Sequence, residues 1–112
     1  MTINHTYIIA EIGCNHQGSL DTFKEMMIEA KECGVDAVKS QKRCPSECLT
    51  PEQYDAPYNG PHSFGQTYGE HREALELSHN DWEEAMGFAD DLGIPLFASV
   101  FDIASARFMR DL

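Results

Sequence analysis

Two short apolar runs within residues 7–41, separated by an amphipathic stretch, constrain the fold of this chain more than any other feature. The first run, Ile8 to Ala10, shows no polar alternation, as expected for a strand buried on both faces. It carries Glu11 at its end, and the second run, which begins at Val35, carries Lys39. A carboxylate and a cation are therefore expected at the same end of two neighbouring parallel strands, where βα enzymes hold their chemistry.

A helix is predicted between these two strands. Ser19 is a candidate N-cap, and Asp21 adds negative charge to the first turn. Gly34 follows the helix at a position typical of a left-handed cap. The apolar residues between them recur at helical spacing, which indicates core packing: Leu20, Phe23, Met26, Met27 and Ala30.

The same pattern occurs a second time. Ala30–Ser40 and Ala89–Ser99 align without a gap. A second helix is predicted before the second copy, with Ser78 and Asp81 in capping-box positions, and a third helix is predicted from near Asp102. The resulting order of strand, helix, strand, helix, strand, helix favours a parallel sheet with right-handed crossovers.

The length of 112 residues limits how much of such a fold the chain can form. A (β/α)8 TIM barrel needs about 250 residues. We therefore predict an α/β fold that is the N-terminal portion, about three βα units, of an incomplete barrel over residues 1–112. The chain would then be part of a longer enzyme, or else a non-catalytic, truncated half-barrel used as a binding module.

The charge and the cysteines exclude several classes of partner. A net charge of −11 and a pI near 4.6 argue against nucleic acid and anionic membranes, since both need basic patches. No stretch is long and apolar enough to span a membrane, and no signal peptide pattern opens the chain. Cysteines at positions 14, 33, 44 and 48 are interpreted as reduced thiols of a cytoplasmic protein.

The connection over residues 42–77 is longer than an ordinary βα loop. Its aromatic residues predict an ordered lid or an oligomer contact: Tyr54, Tyr58, Phe64 and Tyr68. Thr50-Pro51-Glu52 is typical of a short helix start, and Glu70 to Leu77 suggests a second helical piece.

Four segments of the chain resemble the N-acetylneuraminate (sialic acid) synthase family, with the likeness running from Tyr7 to Leu112. They are IIAEIGCNHQGSLD at residues 8–21, AKECGVDAVKSQK at 30–42, HSFGQTYGEHREALELSHNDW at 62–82 and LGIPLFASVFD at 92–102. The first segment is specific, because its A-E-I-G-x-N-H-x-G pattern is not a generic glycine-rich loop.

The resemblance implies a transferase that forms a C–C bond. Phosphoenolpyruvate would condense with N-acetylmannosamine or its 6-phosphate, giving N-acetylneuraminate or its 9-phosphate and releasing phosphate. A divalent metal, Mn or Mg, would polarise the sugar aldehyde. The full-length enzyme would be a cytoplasmic homodimer without nucleic acid or membrane partners.

Site residues follow from the same resemblance. Glu11 matches the glutamate near the sugar and is the catalytic candidate. Lys39 matches a lysine that binds phosphoenolpyruvate, and Gln41, two residues along the strand, matches a sugar-contacting glutamine. Ser99 occupies a position where the family usually has a threonine. Asn15 and His16, in the loop after the first strand, are expected to shape the substrate site.

The chain also departs from the family pattern. Where the family often has V-K-F-Q, this chain has Val38-Lys39-Ser40-Gln41. Where the family often has S-T-P-F, this chain has Ala98-Ser99-Val100-Phe101. Ser40 should face away from the barrel axis, so that change should alter packing only. The family's metal-binding histidines, second phosphoenolpyruvate lysine and C-terminal antifreeze-like domain would all lie beyond residue 112. A synthase for a related nonulosonic acid, pseudaminic or legionaminic, is an open alternative.

Overall fold

The computed structural model describes residues 4–112, which form a three-stranded sheet, three longer helices and three short ones. In chain order the elements are β1 (Ile9–Gly13), α1 (Leu20–Glu32), β2 (Ala37–Lys42), α2 (Pro45–Cys48), α3 (Pro51–Asp55), α4 (Tyr68–Ala74), α5 (His79–Leu92), β3 (Leu96–Val100) and α6 (Ile103–Asp111). The alternation of strands with longer helices confirms the predicted α/β organisation.

The predicted caps set the helix boundaries. Ser19 accepts a hydrogen bond from the Thr22 N–H at the start of α1, and Ser78 and Asp81 form the capping box of α5. Asp102 caps α6, the helix predicted to begin near this residue, by accepting from the Ser105 N–H. Each of these side chains satisfies a backbone donor that the first helical turn leaves without a partner.

The two helices that precede strands end in the same way, as the sequence repeat predicts. Gly34 has φ +83° and Gly93 has φ +73°, the left-handed conformation that glycine adopts without a Cβ penalty. The N–H of Val35 then bonds back to the carbonyl of Ala30. Val35 therefore belongs to the helix-ending turn, and β2 begins at Ala37 rather than at Val35 as predicted.

The sheet is parallel throughout, with the strand order β1-β2-β3. In the first pair, Glu11 lies opposite Lys39, and a register shift follows before Gly13. In the second pair, Gln41 lies opposite Ser99. β2 is thus the central strand, and its register fixes where the polar side chains of all three strands meet.

One face of the sheet packs against α1 and α5. Phe23 of α1 and Trp82 of α5 are fully buried and meet edge to face with ring centroids 5.7 Å apart. Ser40 is also fully buried on this face, where its hydroxyl donates to the carbonyl of Gly13 at 2.7 Å. The core residues are Ile12, Phe23, Met27, Val38, Leu77, Trp82, Ala85, Ala89, Ile94 and Leu96.

The opposite face of the sheet is open in the described residues. Ile9 is 44% exposed and Phe97 is 40% exposed, although both lie in strands. The prediction that the first strand is buried on both faces is therefore wrong for this chain, because helices cover only the side that carries Ile12. The open face carries the polar residues Glu11, Lys39, Gln41 and Ser99.

The connection between β2 and α5 is ordered by short helices and aromatic packing. It begins at Arg43, because Lys42 is the last residue of β2. Thr50 caps α3 and Thr67 caps α4, each with a complete capping box. His71 packs among three aromatic rings of this connection: Tyr58, Phe64 and Tyr68. Helix α2 is an element that the sequence analysis did not predict.

We expect the 112-residue chain, purified alone, to self-associate through the open face, since exposed apolar side chains and unpaired strand edges favour association. Replacing Ile9 and Phe97 with Thr keeps β-propensity and removes much of the apolar surface. Sedimentation velocity should then show smaller species. The matched control is Phe64→Thr, which removes an exposed ring outside the sheet and should leave the size distribution unchanged. A monodisperse, cooperatively unfolding wild-type monomer would contradict the expectation.

Candidate functional site

Lys39 lies at the centre of a polar cluster on the open face. Its Nζ is 2.5 Å from Glu11 Oε2 and donates a hydrogen bond to Ser99 Oγ at 3.0 Å. The three side chains come from β1, β2 and β3, one from each strand. The structure therefore brings together three of the side chains that the sequence analysis selected.

Successive side chains of a strand point to opposite faces, and this alternation explains why the three side chains meet. Val38 and Ser40 are buried against the helices, so Lys39 and Gln41 must point to the open face. The parallel register then brings Glu11 beside Lys39. These side chains follow one another toward the carboxyl ends of the strands, which is where βα folds place ligand sites.

The ion pair between Lys39 and Glu11 is accessible to solvent. The Lys39 side chain is 30% exposed and the Glu11 side chain is 45% exposed. Ion pairs of this exposure stabilise a fold by at most about 1 kcal/mol. An incoming anion can therefore take the place of Glu11 beside Lys39 at little cost to the fold.

Gln41 and Arg43 continue the cluster beyond β2. The guanidinium of Arg43 donates to Gln41 Oε1 at 2.6 Å and lies 4.1 Å from the centroid of the Phe101 ring. On its other side, Arg43 Nε is 3.6 Å from Glu76 Oε1. Arg43 was not predicted from the sequence. It lies two residues after Gln41, as Gln41 lies two residues after Lys39, and this spacing was the signal for a shared face.

Glu76 anchors this end of the strand from the following connection. It accepts from the Arg43 backbone N–H at 3.3 Å, and its Oε2 is 3.8 Å from Lys42 Nζ. Burial raises the pKa of Glu76, because the backbone hydrogen bond and the charges of Lys42, Arg43 and Arg72 offset desolvation only in part. No local sequence signal links Glu76 to Arg43, which is why the analysis of the sequence did not find it.

The loop residues Asn15 and His16 differ in their surroundings. Asn15 is exposed. His16 is 2% exposed, its ring lies 5.0 Å from that of Phe23, and its Nδ1 accepts from the Gly18 N–H at 3.1 Å. Burial lowers the pKa of His16, so the neutral ring is favoured. Its ring faces the helix-side core, from which it supports the loop.

Asp102 holds the ends of two further segments together. Its carboxylate accepts from the Cys44 N–H at 2.7 Å, from the Ser105 N–H at 2.6 Å and from the Ser105 hydroxyl at 2.9 Å. Burial acts to raise the pKa of Asp102, but these donors outweigh it and hold the pKa below its usual range. All four cysteines are free thiols, including Cys48 beside Asp102.

In residues 4–112, no group of three His, Cys, Asp or Glu side chains is arranged to hold a metal ion. None of the helices in the same range has the length and hydropathy needed to cross a bilayer.

Several curated sequence relatives are named as synthases. The chain is 43% identical over 106 residues to the N-acetylneuraminate-9-phosphate synthase of Homo sapiens and 42% identical to that of Mus musculus, in both cases over 95% of this chain and 30% of the relative. It is 38% identical over 109 residues to the N,N'-diacetyllegionaminic acid synthase of Legionella pneumophila, again over 95% of this chain and 30% of the relative. The chain thus spans about 30% of the length of these curated relatives.

Solved structures share the fold. A crystal structure of N-acetylneuraminic acid (sialic acid) synthetase from Leptospira borgpetersenii, in complex with citrate, superimposes with a TM-score of 0.71 at 21% identity, covering 99% of this chain and 37% of that one. The spore coat polysaccharide biosynthesis protein SpsE from Bacillus subtilis superimposes with a TM-score of 0.61 at 24% identity, covering 94% and 26%.

The family profile covers most of the sequence. The NeuB family matches residues 26–112, a range that includes Lys39, Gln41 and Ser99. Together with relatives above 40% identity, this match identifies the family. The chain belongs to the NeuB family.

Proposed function

We propose that this chain is the N-terminal part of the catalytic (β/α)8 barrel of a longer synthase. The enzyme would condense phosphoenolpyruvate with N-acetylmannosamine or its 6-phosphate, and water would add at the enol-ether carbon. C–O cleavage would then release phosphate and give N-acetylneuraminate or its 9-phosphate. The observation that carries the proposal is the position of Lys39, held between Glu11 and Ser99 on the open face of the sheet. Membership of the NeuB family and the names of its relatives support this choice of chemistry.

In this proposal Lys39 and Ser99 bind phosphoenolpyruvate. The lysine already has the Ser99 hydroxyl at 3.0 Å, so the two groups can contact the same anion. When phosphoenolpyruvate binds, its carboxylate or phosphate takes the place of the Glu11 carboxylate beside Lys39. Lys39 then makes a charge-assisted hydrogen bond in a site that the rest of the barrel would close from water.

Glu11 and Gln41 serve the acceptor sugar. Once Lys39 binds the substrate anion, the Glu11 carboxylate can accept a hydrogen bond from a sugar hydroxyl or move a proton. A Cβ at Gly13 would lie 3.6 Å from Glu11 Oε1 and 3.6 Å from Gln41 Nε2, so both polar groups flank Gly13 and can contact one ligand. Asn15 and His16 would shape the adjoining loop.

A divalent metal, Mn or Mg, completes the proposed chemistry by polarising the sugar aldehyde. Hard oxygen and imidazole ligands suit such an ion, and the open-face residues supply only the Glu11 carboxylate. Its ligands would therefore come from residues outside this segment. Assembly as a cytoplasmic homodimer belongs to the same proposal.

A second candidate is a synthase for a related nonulosonic acid. The relative from Legionella pneumophila, named as an N,N'-diacetyllegionaminic acid synthase, is 38% identical, not far below the animal relatives. The polar cluster around Lys39 would serve either reaction, because the acceptors share an aldehyde and an acetamido group. The rest of the acceptor pocket decides between them.

The acceptor is tested with the complete enzyme, phosphoenolpyruvate and a panel of sugars. We expect kcat/KM for N-acetylmannosamine or its 6-phosphate to exceed that for a hexose with two acetamido groups by about tenfold or more, as a pocket shaped for one group discriminates. Phosphate release measures the rates. The reverse preference would select the legionaminic-type reaction, and inactivity toward every sugar would remove the proposal.

Lys39→Met tests the phosphoenolpyruvate contact. Loss of a charge-assisted bond in a closed site should cost about 2–4 kcal/mol, or roughly 30- to 1,000-fold in kcat/KM for phosphoenolpyruvate. Steady-state kinetics of the complete enzyme measure it. Lys31→Met, which removes an exposed lysine on helix α1, is the control and should change little. Unchanged constants for Lys39→Met would remove Lys39 from the site.

Glu11→Gln keeps the shape of the side chain and removes its charge. We expect kcat to fall by about 100-fold or more, as for loss of a proton-transfer group, while KM for phosphoenolpyruvate changes little. The same assay separates the two constants. A loss confined to phosphoenolpyruvate affinity would contradict the sugar-side role.

A further inference from the structure

Arg43 is the charged residue of this cluster that the proposed chemistry does not use. Its guanidinium stacks on the Phe101 ring at 4.1 Å, and its Nε lies 3.6 Å from Glu76 Oε1. Glu76 also accepts from the Arg43 backbone N–H at 3.3 Å. Stacking on Phe101 and the ion pair with Glu76 thus hold the guanidinium, although Arg43 Nε makes no hydrogen bond within residues 4–112.

The fixed guanidinium determines how the Gln41 amide is oriented. Arg43 donates to the side-chain amide of Gln41 at 2.6 Å. A guanidinium has donors and no acceptor, so the amide atom that faces it must be the oxygen. The Nε2 group of Gln41 must then face the opposite way.

That opposite direction leads toward Gly13 and Glu11. A Cβ on Gly13 would lie 3.6 Å from Gln41 Nε2 and 3.6 Å from Glu11 Oε1, so both groups flank Gly13. An N–H donor from Gln41 and a carboxylate acceptor from Glu11 therefore lie close together. A hydroxylated or amide-bearing ligand offers the complementary acceptor and donor.

We propose that Arg43 is a positioning residue, which locks the Gln41 amide so that its Nε2 donates to an oxygen of the acceptor sugar bound beside Glu11 on the open face. This inference rests on the proposed function. Without Arg43, the terminal torsion of Gln41 has two broad minima, and half of the resulting orientations would present the oxygen to the sugar.

The burial of Arg43 favours this role over a direct substrate contact. Its side chain is only 18% exposed, and one of its outward N–H groups is already used by Gln41. A direct contact to the phosphate of a phosphorylated acceptor is the competing role, and the experiment below separates the two.

The test is a double-mutant cycle in the complete enzyme, with Arg43→Met, Gln41→Ala and the double variant. We expect Arg43→Met to raise KM for the acceptor by about tenfold and to leave KM for phosphoenolpyruvate within about twofold, as loss of one hydrogen bond predicts. In the Gln41→Ala background, Arg43→Met should change KM for the acceptor by less than about twofold, because the effect of Arg43 acts through Gln41. Arg43→Lys, which retains a donor, should recover part of the loss.

Controls exclude an effect on folding. Arg110→Met removes an exposed arginine on α6 and should leave both constants unchanged. Thermal unfolding of each variant checks that the fold is intact. Additive losses in the double variant would overturn the positioning role, and a loss restricted to the phosphorylated acceptor would assign Arg43 to direct phosphate contact instead.

Neutron diffraction from crystals of the wild type and of Arg43→Met supplies a readout independent of activity, because it distinguishes the amide oxygen of Gln41 from its nitrogen. We expect the Gln41 oxygen to face Arg43 in the wild type, and the amide to be flipped or to occupy two orientations in the variant. An unchanged Gln41 would overturn the inference whatever the kinetics. An inactive wild type would refute the proposed function alone, since the structures would still decide the role of Arg43.

Discussion

The alternation of side chains along β2 is the constraint on which the rest of the structure depends. Val38 and Ser40 are fully buried against the helical layer. Because successive residues of a strand point to opposite faces, this burial leaves Lys39 and Gln41 no alternative to the open face. A slip of one residue would bury the lysine in the core and expose Val38. The hydrophobic packing of α1 and α5 therefore determines which side chains can react.

The polar cluster itself contributes little to the fold, and this suits a binding site. The Lys39–Glu11 pair is partly exposed and is worth at most about 1 kcal/mol. The same lysine can gain about 2–4 kcal/mol from an anion in a closed site. Under the proposed function, exchange of Glu11 for a substrate anion would therefore be favourable, and it would leave the carboxylate of Glu11 available for a second ligand.

The sequence was sufficient for the features that depend on local chemistry. Ser19, Ser78 and Asp102 cap the predicted helices, because a short polar side chain at that position satisfies a free N–H. The parallel sheet followed from the repeat over residues 30–40 and 89–99. The choice of Ser99 came from the family resemblance instead, because the ungapped repeat aligns Ser99 with Ser40, which faces the helices, whereas Ser99 contacts Lys39 on the open face.

The features that the sequence did not reveal depend on long-range contacts. Arg43 and Glu76 are distant in the chain, and their approach depends on the path of the whole connection between β2 and α5. Asp102 could be predicted as a cap for α6, but not as an acceptor for Cys44. The exposure of Ile9 was missed because an unbroken apolar run indicates a two-sided strand, whereas the described residues cover only one side.

Gly13 shows how the buried layer and the open face are connected through one residue. Its carbonyl accepts the Ser40 hydroxyl at 2.7 Å on the buried side, while Glu11 and Gln41 flank its Cα on the other. A Cβ there would be at ordinary contact distance, 3.6 Å, from both neighbours, so space alone does not require glycine. Its φ of +62° does, since a left-handed conformation costs other residues about 1–2 kcal/mol. The turn that ends β1 and the approach of Glu11 to Gln41 thus both depend on the backbone conformation of Gly13.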